Sequence, residues 1–164
     1  MTRFLTALSL YAALLLSAAG ASAQPVLTVT VDPDDASRAT EYTADELLAL
    51  ESVEVTTDND YLEDGPATFT GPLLRTLLAD ADLEPGDEIQ VAALNDYRTS
   101  IPAEDVLDYD VIVAVLMDGE PMSVRDKGPF WVIYPMSDNP ELQEPKFNDR
   151  LIWQLSKVEL TQPE

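Results

Sequence analysis

The sequence predicts a single α+β domain in which a mixed β-sheet carries short helices. Apolar runs of strand length alternate with segments of helical spacing, so strands and helices interleave along the chain. Thr43-Ala44-Asp45-Glu46 has the form of a capping box, which opens a short helix. Asp118-Gly119 between two β-prone runs is a two-residue hairpin signal. Interleaved strands and helices with hairpins among them indicate a mixed sheet.

In the first half of the domain, Val26–Val31 alternates apolar residues with threonine, which is typical of a half-buried strand. The capped helix is predicted to run to Leu50, and Val53–Thr57 is a short β-prone run. After an acidic loop, Thr70-Gly71-Pro72 is predicted to start a second helix. Its leucines follow one helical face, at Leu73, Leu74, Leu77 and Leu78.

The second half alternates apolar runs with turn residues, which predicts more strands than helices. The predicted strands are Ile89–Leu94, Val111–Met117, Phe130–Tyr134 and Leu151–Leu160. Ile101-Pro102 is predicted to be extended, Ala103–Leu107 to form at most a helical turn, and Pro135–Asn148 to be loop. The domain is therefore expected to contain about six strands and two or three short helices.

Residues 1–23 are predicted to be a signal peptide, and residues 24–164 the single domain. Arg3 supplies a thin positive region, Phe4–Ala19 is apolar, and Ala21-Ser22-Ala23 is a small-x-small cleavage site. The alternative is an uncleaved membrane anchor, because the apolar stretch is only slightly short of a span. The short, weakly basic start is typical of bacterial export. We therefore expect a periplasmic protein that does not contact the membrane after cleavage.

The charge of the chain is strongly negative. It has 31 acidic and 9 basic residues, for a formal net charge of −22. This disfavours nucleic acid and anionic membrane surfaces as partners. A solvated acidic surface, a cationic protein partner and calcium binding remain as explanations. Asp58–Glu63 fails the EF-hand pattern at its fifth and sixth positions, and Asp80–Pro85 has proline where the loop requires glycine.

The chain contains no cysteine and no histidine. The first absence excludes disulfides, thiol catalysis, iron–sulfur clusters and thiolate zinc sites. The second removes the usual general base and the commonest transition-metal ligand. Ser123 has no histidine to activate it, so a serine–histidine hydrolase is excluded.

Val111–Pro135 contains, in order, an apolar strand, a turn at Asp118-Gly119-Glu120-Pro121-Met122, a Gly128-Pro129 loop, and a strand that ends in Tyr134-Pro135. This order resembles the molybdopterin-binding domain of the sulfite-oxidase family. Three further segments are similar to that family over roughly Val53 to Leu160. They are Phe69-Thr70-Gly71-Pro72 with its leucines, Asn95-Asp96-Tyr97 with Ile101-Pro102, and Trp153 with Val158-Glu159-Leu160. The resemblance implies a sulfite-oxidase-like fold and, in the family, molybdopterin-dependent oxidoreductase activity.

Two departures from the family pattern bear on the chemistry. The family's molybdenum-ligating cysteine would lie in or near Val53–Asp58, where this chain has only threonine and acidic side chains among its polar residues. The arginine that commonly follows the family's Gly-x-Pro is here Phe130. We therefore expect a module that binds a small anion or a periplasmic protein partner, as an accessory or sensory domain. The alternative is a molybdopterin-dependent oxidoreductase that holds its cofactor through phosphate contacts, with an oxygen ligand such as Asp58 or none. No cofactor is favoured, and the question of enzyme activity stays open.

The first candidate binding segment is Arg125-x-Lys127-Gly128-Pro129. Two cations in one glycine-containing loop create a local positive spot, and arginine offers a planar fork to phosphate or carboxylate. The alternative is that both cations pair with nearby acids such as Asp126 and Glu120.

The second candidate segment is Asn95, Asp96, Tyr97 and Arg98, which follows a predicted strand. Its alternative is a simple turn with Tyr97 packed on the core. In the resembled fold, both segments border the pterin site, so we expect them to share one cleft. Trp131, Tyr134 and Trp153 are expected to be core residues rather than a stacking platform.

Overall fold

The computed structural model describes residues 24–32 and 35–161, so the predicted signal peptide lies outside the described residues. The strands of this part of the chain are β1 (Val26–Thr30), β2 (Ala39–Thr43), β3 (Ser52–Thr57), β4 (Ala67–Pro72), β5 (Glu88–Ala93), β6 (Arg98–Pro102), β7 (Ile112–Ala114), β8 (Leu116–Met117), β9 (Glu120–Pro121), β10 (Trp131–Ile133) and β11 (Leu155–Thr161). The α-helices are α1 (Ala44–Ala49), α2 (Leu74–Leu77), α3 (Ala103–Asp108) and α4 (Pro145–Asn148), and 3-10 helices cover Ala36–Arg38 and Pro140–Gln143.

The strands form three sheets. The largest has the order β2-β1-β11-β5-β6, a second has the order β3-β4-β8-β9, and β10 pairs with β7. In the largest sheet, β1 runs parallel to β11, with Val29 opposite Val158, and the other pairs are antiparallel. The predicted α+β class with a mixed sheet is confirmed, although the strands are more numerous than expected and divide among three sheets.

The predicted start of the second helix is wrong. Thr70-Gly71-Pro72 belongs to β4, which pairs with β3 along its whole length, and α2 is a single turn that follows it. The predicted strand Val111–Met117 is also divided. β7 pairs with β10 whereas β8 pairs with β4 and β9, and Val115 between them donates its N–H to the Thr70 carbonyl at 2.8 Å. In both segments, pairing with strands that are distant in sequence determines the structure, and the local pattern does not.

The segment predicted as loop, Pro135–Asn148, contains the second 3-10 helix and α4. Both begin with proline, which suits the first turn of a helix because its missing N–H has no partner to lose there. Buried Leu142 and Phe147 anchor them to the core. β2 was not predicted, because it is an edge strand with largely exposed side chains and little apolar pattern.

The local turn and cap signals are confirmed. Thr43 caps α1: its hydroxyl accepts the Glu46 N–H, and the Glu46 carboxylate accepts the Thr43 N–H at 2.8 Å. Asp118 and Gly119 join β8 to β9 with φ values of 52° and 82°, as a tight hairpin turn requires.

Two apolar clusters form the core. The larger cluster packs the five-stranded sheet against the helices. The smaller one surrounds Phe69 and Trp131, whose rings pack edge to face with their centres 5.3 Å apart. Trp131 and Tyr134 are fully buried, as expected, whereas Trp153 is only partly buried. Within the described residues, none of the helices has the length and apolar character needed to cross a membrane.

Candidate functional site

The end of β3 is fastened to the segment that follows β10. The Thr57 hydroxyl is fully buried, accepts the Ser137 N–H at 3.2 Å and donates to the Asp58 carbonyl at 3.3 Å. In return, the Ser137 hydroxyl accepts the Asp58 N–H at 3.0 Å. This reciprocal pair fixes the stretch in which the resemblance expects the molybdenum cysteine. The one buried polar side chain of that stretch is therefore already committed to internal hydrogen bonds.

A polar cavity of about 490 Å³ lies beside these hydrogen bonds between the end of β3 and Ser137. Its lining includes Asp58, Asp60, Asn59 and Ser137. The Asn59 side-chain oxygen Oδ1 accepts the Tyr61 N–H at 2.9 Å, while its buried side-chain nitrogen Nδ2 has no partner among the described residues. The Asp60 carboxylate accepts the Asn148 amide at 2.6 Å. The cavity thus presents two carboxylates and one unused N–H donor.

These residues do not fit a thiolate-bound molybdenum centre. The chain has no thiol or imidazole, and the described residues contain no group of three or more acidic, cysteine or histidine side chains arranged to hold a metal ion. Threonine hydroxyls and carboxylates are hard oxygen donors, whereas the family's cysteine is a soft one. The carboxylates of Asp58 and Asp60 would also repel a phosphate group placed in this cavity.

The loop that carries Arg125, Lys127 and Gly128 is organised around Ser123. The Ser123 carbonyl accepts the N–H groups of Asp126 and Gly128 at 3.0 and 2.9 Å, and its hydroxyl accepts the Arg125 N–H at 3.2 Å. These three amides are therefore used inside the loop. The Lys127 ammonium lies 3.6 Å from the Asp126 carboxylate and 5.6 Å from the centre of the Trp131 ring.

Gly128 is required in this loop by the close approach of another segment. A Cβ atom at Gly128 would lie 2.0 Å from the Met122 carbonyl oxygen. No side chain fits there without displacing the backbone. The glycine therefore has a packing role, beside the anion-binding role that the sequence suggested.

Asn95, Asp96 and Tyr97 form the turn between β5 and β6. The Asn95 side chain accepts the Tyr97 N–H at 3.1 Å, and Asp96 has a φ of 65°. Arg98 is the first residue of β6 and is exposed. Tyr97 is 51% exposed, so it does not pack in the core as the simple-turn alternative would have it.

Gln154 connects the two predicted segments. Its N–H donates to the Lys127 carbonyl at 3.0 Å, its carbonyl accepts the Leu94 N–H at 2.9 Å, and its amide donates to the Val124 carbonyl at 2.8 Å. The two segments are therefore near neighbours. Their side chains nevertheless face different cavities, because Asn95 and Tyr97 line an aromatic cleft and Lys127 lines a separate acidic one. The predicted anion site shared by both segments stays a prediction.

The aromatic cleft has a volume of about 310 Å³. Its aromatic walls are Tyr61, Tyr97 and Trp153, and the rings of Tyr61 and Trp153 meet edge to face with centres 4.7 Å apart. The Tyr61 hydroxyl donates to the Asn148 carbonyl at 3.3 Å. Burial raises the pKa of Tyr61, and the negative charges of Asp149 and Asp60 raise it further. The cleft therefore combines aromatic walls with one lining carboxylate, that of Asp149.

Sequence patterns gave no sign of Tyr61 or Asp149 as site residues. Tyr61 lies in the acidic loop after β3, and Asp149 follows the one-turn helix α4. Both reach the cleft only because β3 and α4 end close together, through the bonds from Asn148 to Asp60 and from Tyr61 to Asn148. An aromatic residue inside an acidic loop is the only local signal.

The family model described as oxidoreductase molybdopterin binding domain matches residues 23–137. Among solved structures, the crystal structure of the sulfane dehydrogenase SoxCD from Paracoccus pantotrophus is similar in fold, with a TM-score of 0.59 and 16% sequence identity. The match covers 85% of this chain and 38% of that one. A search of curated proteins found no match. The family match spans most of the chain, and the predicted resemblance is thus confirmed: the chain belongs to the oxidoreductase molybdopterin binding domain family.

Proposed function

We propose that the chain is a ligand-binding or accessory module of this family that works without a molybdenum–thiolate centre. The observation that carries the proposal is the end of β3, where the buried Thr57 hydroxyl is bonded to Ser137 and Asp58. An oxygen donor already engaged in this way is a poor substitute for a thiolate on a soft metal centre. The fold is kept, and the stretch in which the resemblance expects the metal ligand offers a buried threonine engaged in a structural contact.

Metal and pterin analysis of the protein purified from its native host tests this proposal. We expect no stoichiometric molybdenum and no pterin fluorescence after denaturation. A cysteine-containing member of the family, purified in the same way, serves as the positive control. Stoichiometric molybdenum together with pterin would overturn the proposal in favour of an oxidoreductase that holds its cofactor without a thiolate.

Two arginines without ion pairs support a more specific proposal, that the module binds a small anion. The structure describes eight of the nine basic residues, and six of these eight form ion pairs. Arg98 and Arg125 are the two that do not, although the chain is rich in carboxylates. We propose that each of these guanidinium groups, which form no ion pair among the described residues, is available to bind a small oxyanion or an acidic side chain of a protein partner, with Lys127 two positions after Arg125 in the chain.

Calorimetric titration with phosphate or sulfate tests the anion site. Replacing both Arg125 and Lys127 by alanine is expected to weaken binding by about 1.5–3 kcal/mol for each charged hydrogen bond lost. Lys146→Ala, which removes a surface lysine paired with Glu144, is the matched control. Unchanged affinity in the double variant, or no binding by the wild type, would rule out this site.

We also propose that the protein is exported to the periplasm. The support is the sequence of residues 1–23, with its apolar stretch and its Ala21-Ser22-Ala23 site. Fractionation of the host followed by N-terminal sequencing tests it, with Gln24 as the expected first residue. Recovery of the uncleaved chain from the membrane fraction would instead favour an anchored protein.

A further inference from the structure

We propose that the aromatic cleft formed by Tyr61, Tyr97 and Trp153 binds a small organic cation that carries an alkylammonium group. The inference deepens the proposed function, on which it rests, by assigning a ligand class to one cleft of the ligand-binding module. It concerns residues other than Arg98 and Arg125, and a ligand of the opposite charge.

The walls of the cleft have the chemistry that such a cation needs. Three aromatic side chains line it, and Ala93, Leu151 and Ile152 supply the remaining apolar surface. The face of an aromatic ring carries partial negative charge and attracts a cation, most strongly where water is excluded. Methyl or methylene groups on the nitrogen would contact the aliphatic side chains. The cleft thus matches a cation that is apolar at its surface.

The size and shape of the cleft suit a small ligand. A volume of about 310 Å³ falls at the lower end of the range for small-molecule sites, which begins at about 300 Å³. Tyr61 is held in place by its bond to Asn148 and its edge-to-face contact with Trp153. Tyr97 is half-exposed at the β5–β6 turn. Two aromatic walls are therefore fixed by contacts with the protein, and the third is partly open to solvent.

The electrostatics of the cleft select for positive charge. Asp149 lines it and is exposed, and its carboxylate forms no hydrogen bond or ion pair within the described part of the chain. No lysine or arginine is among the lining residues. Burial is the main cause of the raised pKa of Tyr61, and the charges of Asp149 and Asp60 add to it. The chain's net charge of −22 adds a long-range attraction for cations.

Titration with choline and with its neutral carbon analogue, 3,3-dimethylbutan-1-ol, tests the inference. The two probes have nearly the same shape and differ in charge. At about 0.15 M salt, where exposed charges are screened beyond about 8 Å, calorimetry should show saturable choline binding at one site. Cation–aromatic contact predicts that choline binds on the order of tenfold more tightly than the alcohol. Equal affinities, or no choline binding, would overturn the proposal.

Three variants locate the binding. Asp149→Asn is expected to weaken choline binding several-fold, with unchanged circular dichroism and thermal midpoint. Trp153→Phe is expected to weaken it several-fold while the circular dichroism of the folded protein is kept, although the lost packing lowers its thermal midpoint. Asp82→Asn removes an exposed aspartate outside the cleft and is the matched control. If all three variants bind choline alike, the attraction is a property of the acidic surface and not of the cleft.

The molybdenum analysis is done on the same preparation, so the two proposals can fail separately. Choline binding by molybdenum-free protein supports both. Absence of choline binding by molybdenum-free protein overturns the ligand class alone. Stoichiometric molybdenum overturns the proposed function whatever choline does.

Discussion

Gly71 lies where β4 of one sheet contacts β7 of another, and the contact requires a residue without a side chain. A Cβ atom at this position would lie 2.0 Å from the Val113 carbonyl oxygen, so β4 and β7 are in contact only because the side chain is absent. Asn59 is a different case, because its buried side-chain nitrogen has no hydrogen-bond partner among the described residues. The first residue is explained by packing. The second is a buried donor that costs free energy unless water, an ion or a ligand satisfies it.

Gly71→Ala is predicted to destabilise the domain by about 1–3 kcal/mol, because overpacking forces the backbones of β4 and β7 apart. Denaturant unfolding followed by circular dichroism measures the change. Thr70→Ala, at the adjacent half-buried position of β4, is the control and should cost less than about 1 kcal/mol. A Gly71→Ala variant as stable as the wild type would mean that the two strands can separate without cost.

At the scale of elements, α3, α4 and the chain after β10 are held together by one carboxylate. The Asp105 side chain accepts the Tyr134 hydroxyl at 2.7 Å and the Arg150 guanidinium at 2.6 Å. Arg150 also stacks over Phe147 at 5.0 Å from the ring centre. The two donors offset the desolvation of this buried carboxylate, and removing either of them would leave its charge less compensated. This network positions α4, which ends beside the aromatic cleft.

Tyr134→Phe is predicted to cost about 1.5–3 kcal/mol at neutral pH, because a hydrogen bond to a charged group is lost. Burial raises the pKa of Tyr134 well above 10.0, and the Asp105 charge raises it further. The wild type therefore keeps this tyrosine's contribution below about pH 10 and loses it above, since the unfolded chain ionises first. The variant should lack that part of the alkaline decline in unfolding free energy.

Denaturant unfolding between about pH 8 and pH 11 checks this prediction, with the pH range set by the ordinary tyrosine pKa of about 10. Tyr97→Phe, which removes the hydroxyl of a half-exposed ring, is the control and should retain the alkaline curve of the wild type. Identical slopes for the wild type and Tyr134→Phe would show that Tyr134 does not stay neutral in the folded state.

The elements that the sequence could predict are those with local causes. The Thr43–Glu46 capping box and the Asp118-Gly119 hairpin both depend on bonds within a few residues. The leucines after Thr70-Gly71-Pro72 have helical spacing, so the local pattern predicts a helix start there. The segment is a strand because it pairs with β3, and this contact is not visible in the local sequence. The aromatic cleft could not be predicted from the sequence for the same reason. Tyr61, Tyr97 and Trp153 come from three separated parts of the chain.

At the scale of the whole molecule, the negative charge works against the compact state. A chain with a net charge of −22 repels itself more strongly when folded than when expanded. Ion pairs relieve little of this, since the acidic residues outnumber the basic ones by more than three to one. The remaining repulsion is between exposed carboxylates and is open to screening by salt.

The midpoint of thermal unfolding is therefore predicted to rise as sodium chloride increases from about 0.01 M to about 0.15 M, where the Debye length falls from about 30 Å to about 8 Å. Scanning calorimetry at fixed pH measures it. Sucrose in place of salt separates screening from general solvent exclusion. A midpoint that falls with salt would mean that attractive ion pairs outweigh the repulsion.

The parallel pairing of β1 with β11 bears on when the protein can fold. These strands lie side by side in the middle of the five-stranded sheet, yet they come from opposite ends of the described chain. Contacts between residues so far apart in sequence require a large loop to close, which costs entropy and slows folding. A chain still on the ribosome cannot complete its central sheet until β11 has emerged. Until then β1 lacks β11, one of its two neighbours in the sheet, and its free edge stays open to other partners such as chaperones.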